Sequence, residues 1–153
     1  RRAHREIYAK LQARGLSSTD LRLAFLRELQ SQHVGCVQAH EARHLIDRRL
    51  GTPNTPGGQL EMTAALSQVL FGPNPAVCLT GILGPNIGVR DNGSGEGNGR
   101  IMQGIVRWMD VHASEIKGLD STRPLLPQLD LLSGDQIRAA FRSMDPLATR
   151  SVE

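Results

Sequence analysis

The residues with the clearest chemical potential are His40-Glu41-Ala42-Arg43-His44, an H-E-x-x-H pentad. On a helix, positions four apart share a face and lie about one turn from each other. Two imidazole nitrogens at that spacing converge on a single ion at the ~2.0–2.1 Å that zinc requires. Glu41 follows the first histidine directly. There it is poorly aligned as a ligand but well placed to reach a water on the ion. Zinc lowers the pKa of such a water to about 7, and a nearby carboxylate can take its proton during attack on a carbonyl.

A catalytic zinc needs a third protein ligand and one open position. Glu61 is the expected third ligand, at the start of the next helical stretch (QLEMTAALSQVLFG). The reach is feasible. Past His44 the first helix continues for about six residues, roughly 9 Å, and a connection of seven or eight residues can span up to ~25 Å. Ala64 and Ala65 are small enough for the two helices to pack closely. The plainer alternative for Glu61 is a solvated carboxylate favoured by the helix dipole. Asp47, three residues after His44, competes for the same role, but one straight helix does not readily wrap three side chains around an ion. Asp47 is therefore expected either to hold an imidazole N–H or to be an ordinary surface aspartate near Arg43 or Arg48.

His40-Glu41-x-x-His44 followed by Glu61-x-x-Ala64 resembles the gluzincin branch of zinc metallopeptidases, which includes thermolysin. The resemblance covers Val34 to Leu66. It implies one zinc ion held by His40, His44 and Glu61, and hydrolysis of peptide or protein substrates with Glu41 as general base. This sequence departs from the pattern in carrying Ala65, not an acidic residue, four positions after Glu61. It also shows no recognisable sheet edge for substrate. Two other readings remain: a zinc-bearing binding or regulatory module without catalysis, and a helical interaction domain without metal.

Other residues carry weaker signals. His112 is a candidate donor to the transition state, though its position also suits a hydrogen-bonded core histidine. His33 and Tyr8 are read as helix-end and packing residues. Arg43, Arg48 and Arg49 are read as a solvated helix face that would favour acidic substrates. The glycine-rich run from Gly93 to Gly99 lacks the Gly-Lys-Ser/Thr signature of a phosphate cradle.

The elements that must position these groups are helical. Apolar residues recur at helical spacing in Ala3–Ala13, from Leu21 through Leu29, in Val34–Leu50, and in Gln59–Phe71. Gly35 marks a kink or break. Ala76–Leu83 is read as a short helix, and Asp91–Gly99 as a flexible loop before a helix over Arg100–Lys117. Ser133 and Gln136 form a capping box for a last helix ending near Asp145-Pro146. The expectation is a single all-α domain over residues 1–153.

Composition narrows the function. Hydrophobic residues make up 39% of the 153, enough for a core. Aromatics are only 3% and the formal net charge is +3. Both argue against a nucleic-acid partner, which would want stacking side chains and a strong positive field. No apolar run approaches the ~20 residues of a membrane span. The chain opens Arg1-Arg2-Ala3 with no Met, and is read as part of a longer or processed product, with an exported location slightly favoured. Cys36 and Cys78 are read as two buried free thiols, with a single bridge as the alternative.

Overall fold

In α1 (Arg2–Gln12), Ala3, Ile7 and Leu11 recur at four-residue spacing and are the buried face. Gly15, at φ 70°, turns the chain back after it. A computed structural model describes residues 2–51, 59–83 and 93–146, and every regular element among them is helical. The sequence reading of 52–58 as a loop, and that of Asp91 and Asn92, fall outside the described residues.

The long helix α2 (Ser18–Arg49) starts where Ser17 Oγ accepts from the Asp20 amide at 3.3 Å, leaving one fewer unsatisfied donor in the first turn. It runs unbroken through Gly35, where a kink or break was expected. The glycine has a packing role instead. A Cβ at position 35 would lie 2.9 Å from Cδ and Cγ of Pro73, so the missing side chain is what lets the Pro73 ring seat against the helix.

α3 (Gln59–Phe71) makes the most extensive contact with α2. Ala64 and Ala65 are both buried, as expected for closely approaching helices. α4 (Pro75–Ile82) confirms the helical reading of Ala76–Leu83. Asn74 Oδ1 caps it by accepting from the Ala76 and Val77 amides, and Pro75 fits the first turn because its missing N–H is not needed there.

α5 (Gly93–Val111) departs from expectation at both ends. Its first turns take in the glycine-rich run read as loop, Glu96 pairs with Arg100 one turn on, and Gly97 is buried. It stops at Val111 instead of Lys117, where a 3₁₀ turn over Ala113–Glu115 takes over. α6 (Gly134–Arg142) follows a second 3₁₀ segment, Leu126–Leu131, and opens on the expected box: Ser133 Oγ accepts from the Gln136 amide while Gln136 Oε1 accepts from the Ser133 amide.

One contiguous apolar cluster draws on all six helices. Its fully buried members are Leu66, Val69, Val77, Ile101, Ile105, Met109, Phe141 and the two cysteines, so Phe141 is the one aromatic ring fully buried among the described residues. Cys36 and Cys78 are not free thiols. They form a disulfide joining α2 to α4 across a Cα–Cα distance of 5.4 Å, well within the usual range for such a bond. Two buried thiols and one bridge look alike in sequence; the approach of α4 to the middle of α2 decides between them.

Candidate metal centre

His40 and His44 sit one turn apart on α2, and Glu61 is the third residue of α3. The α2–α3 packing brings the three together. His40 Nε2 lies 3.2 Å from His44 Nε2. Glu61 presents one carboxylate oxygen to each ring, with Oε2 3.5 Å from His40 Nε2 and Oε1 3.5 Å from His44 Nε2. The two rings stand nearly perpendicular, with an interplanar angle of 80°.

These spacings suit a shared ion. Tetrahedral zinc with bonds of ~2.0–2.1 Å has its ligand atoms about 3.3–3.4 Å apart. A carboxylate hydrogen-bonded directly to an imidazolium would close to ~2.7–2.9 Å. Two imidazoles and one carboxylate are also a donor set that zinc accepts readily. Among the described residues this is the one group of three or more His, Cys, Asp or Glu side chains able to hold a metal ion. The histidine side chains are 20% exposed and that of Glu61 41%, so the cluster is accessible from solvent on one side.

Glu41 is exposed. At 100° per residue it projects on the solvent side of the histidine pair. Val37 and Leu45, about one turn to either side of it on α2, are exposed apolar residues.

Behind the triad lies a polar network that the sequence reading missed. Arg43 was expected on a solvated face and is buried instead, at 5% exposure. Its Nε donates to Asp47 Oδ1 at 2.9 Å, and its Nη1 faces Ser67 Oγ at 3.2 Å and Asp145 Oδ1 at 3.4 Å. Asp47 is no surface aspartate either: it is buried, and its Oδ2 accepts from Thr63 Oγ1 at 3.0 Å. One signal pointed this way. Cys36, His40, Arg43 and Asp47 are spaced 4-3-4, which is the pattern of a single inward-facing stripe. The role considered for Asp47 in holding an imidazole N–H does not extend to His40, whose Nδ1 is buried without a hydrogen-bond partner.

His112 does not join the cluster. It closes α5, donating from Nδ1 to the Trp108 carbonyl at 2.9 Å and stacking on the Trp108 ring. His33, Arg48 and Arg49 are exposed. Tyr8 packs edge-on against Phe25. A mostly apolar cavity of about 480 Å³ opens on the far side of Arg43, against Ala42, Ile46, Ser67, Phe71 and Asp145. Its walls include neither the triad nor Glu41, so it is not the cleft of the metal centre.

No family model, curated protein or solved structure matches the chain. Its chemistry has to be read from its own residues. Among the described residues, no helix is long and apolar enough to cross a membrane.

Proposed function

We propose that this chain is a zinc-dependent, gluzincin-like metallopeptidase domain in which His40, His44 and Glu61 hold the ion and Glu41 is the general base. The observation that carries this reading is the convergence of His40 Nε2, His44 Nε2 and the Glu61 carboxylate, the two nitrogens 3.2 Å apart and each 3.5 Å from a different carboxylate oxygen, from two turns of one helix and the first turn of another. Bound there, zinc would acidify a water and polarise the scissile carbonyl. Glu41 would serve as the base in that chemistry, holding a proton on its carboxylate and passing it to the departing amine. Exposed Val37 and Leu45, one turn to either side of Glu41, support a substrate with apolar side chains, as a polypeptide has, over a small polar one.

The test compares wild type with Glu41→Gln on a pool of quenched fluorescent peptides, with bound zinc measured on the same samples. The variant keeps its zinc and loses about 10²-fold or more of the hydrolysis rate, the usual weight of a general base. Equal rates in the two proteins would remove Glu41 from the mechanism. One observation favours a second reading, a zinc-bearing module without turnover. His40 Nδ1 has no partner, whereas the histidines of working zinc sites almost always donate that proton to a carboxylate or carbonyl. Zinc bound by the wild type without cleavage of any peptide would select that reading.

A further inference from the structure

We infer that Thr63 and Ser67 of α3, acting with Arg43 and Asp47 of α2, are positioning residues for the metal triad: they fix the register in which Glu61 meets the two histidines. The inference rests on the zinc reading of His40, His44 and Glu61. Metal bonds tolerate ligand displacements of only about 0.2 Å, and the triad is split between two helices. Something must hold α3 against α2 to that tolerance.

Apolar packing at this interface is poorly suited to the task. Ala64 and Ala65, which follow Thr63 on α3, are buried. Small side chains allow close approach but supply few interlocking ridges to oppose sliding. The polar ties are directional. Thr63 Oγ1 lies 3.0 Å from Asp47 Oδ2, with its proton shared between that oxygen and the Leu60 carbonyl at 3.0 Å. Arg43 Nη1 lies 3.2 Å from Ser67 Oγ.

Placement strengthens the case. Thr63 is two residues from Glu61, and Asp47 three from His44, so the tie sits within one helical turn of a ligand on both sides. Arg43 lies inside the histidine pair itself. All four side chains are less than a tenth exposed. Water cannot readily replace a broken bond there, and a slipped register would leave buried charge without its partner. The network therefore penalises sliding of α3 along α2 away from the arrangement that brings the Glu61 carboxylate to within 3.5 Å of both imidazoles.

The experiment measures zinc affinity by competition with a chromophoric chelator on four proteins: wild type, Thr63→Val, Thr63→Ser and Ile105→Val. The valine is close in shape to threonine but cannot donate to Asp47. The serine keeps the hydroxyl. Ile105→Val lowers core stability on α5, which packs against α3 but carries neither a ligand nor a member of the polar network, and calibrates what general loosening does. Affinities are read well below the unfolding temperature of each zinc-free protein. The visible spectrum of the cobalt(II)-substituted protein reports whether the ligand field stays tetrahedral.

Thr63→Val weakens zinc about tenfold or more, in the range found when outer residues that orient ligands are lost, and alters the cobalt spectrum. Thr63→Ser restores both to near wild type, and Ile105→Val changes neither. Thr63→Val with wild-type affinity and spectrum, or with changes no larger than those of Ile105→Val, overturns the positioning role while leaving the zinc reading intact. A wild-type chain that takes up no zinc overturns both. Should Thr63→Val fail to fold, Ser67→Ala, which removes only the Arg43 tie, is read by the same criteria.

Discussion

Replacing Arg43 by Met is the most informative perturbation of the fold. The guanidinium lies between two carboxylates, Asp47 at 2.9 Å and Asp145 at 3.4 Å, and all three residues are about 95% buried. Methionine fills much of the aliphatic volume of arginine, and the adjoining cavity can take up some misfit, so the lost packing is minor. The dominant cost is the loss of the guanidinium from beside two buried carboxylates. Removing one partner of a buried ion pair costs about 3–5 kcal/mol. At roughly 2–4 °C per kcal/mol for a domain of this size, the midpoint should fall by about 6–20 °C. Thermal and urea unfolding followed by circular dichroism measure both quantities. Adding Asp145→Asn to Arg43→Met should recover part of the loss, giving a coupling energy above about 1 kcal/mol in the double-mutant cycle. A loss below about 1 kcal/mol for Arg43→Met alone would show that water solvates the network, and the reasoning would fail.

Two further predictions follow from the packing of α2. Reducing the Cys36–Cys78 bond, which closes a separation of 42 residues, should destabilise the chain by about 4 kcal/mol on the chain-entropy argument; identical urea midpoints with and without reductant would contradict it. Gly35→Ala should not bring the ~1 kcal/mol that alanine normally adds inside a helix, because its Cβ would press on Pro73 at 2.9 Å. A stabilisation of that size would mean Pro73 moves aside freely.

Local signals in the sequence proved the most readable. The Ser133–Gln136 capping box and the helical spacing of apolar residues in Ala3–Ala13 and Gln59–Phe71 depend on neighbours within one or two turns, and the structure has helices there. The H-E-x-x-H spacing is equally local, and Glu61 could be nominated because the connection was short enough to return. Readings that depended on distant partners were harder. Gly35 looks like a helix breaker until Pro73 is placed against it. Arg43 looks solvated because arginine is rarely buried, and only Asp145, more than a hundred residues away, completes its surroundings. The glycine-rich start of α5 defeats propensity in the same way: glycine disfavours helix in isolation, while the Glu96–Arg100 pair and the burial of Gly97 favour it here.

The central claim is that His40, His44 and Glu61 bind one zinc ion. It is tested most directly by elemental mass spectrometry of the purified, tag-free chain, wild type beside His40→Ala/His44→Ala, after equilibration with zinc and removal of the excess. The account predicts about one zinc per wild-type chain, the number a single three-ligand site can hold, and none retained by the double variant. No metal in either protein, or equal zinc in both, would contradict it.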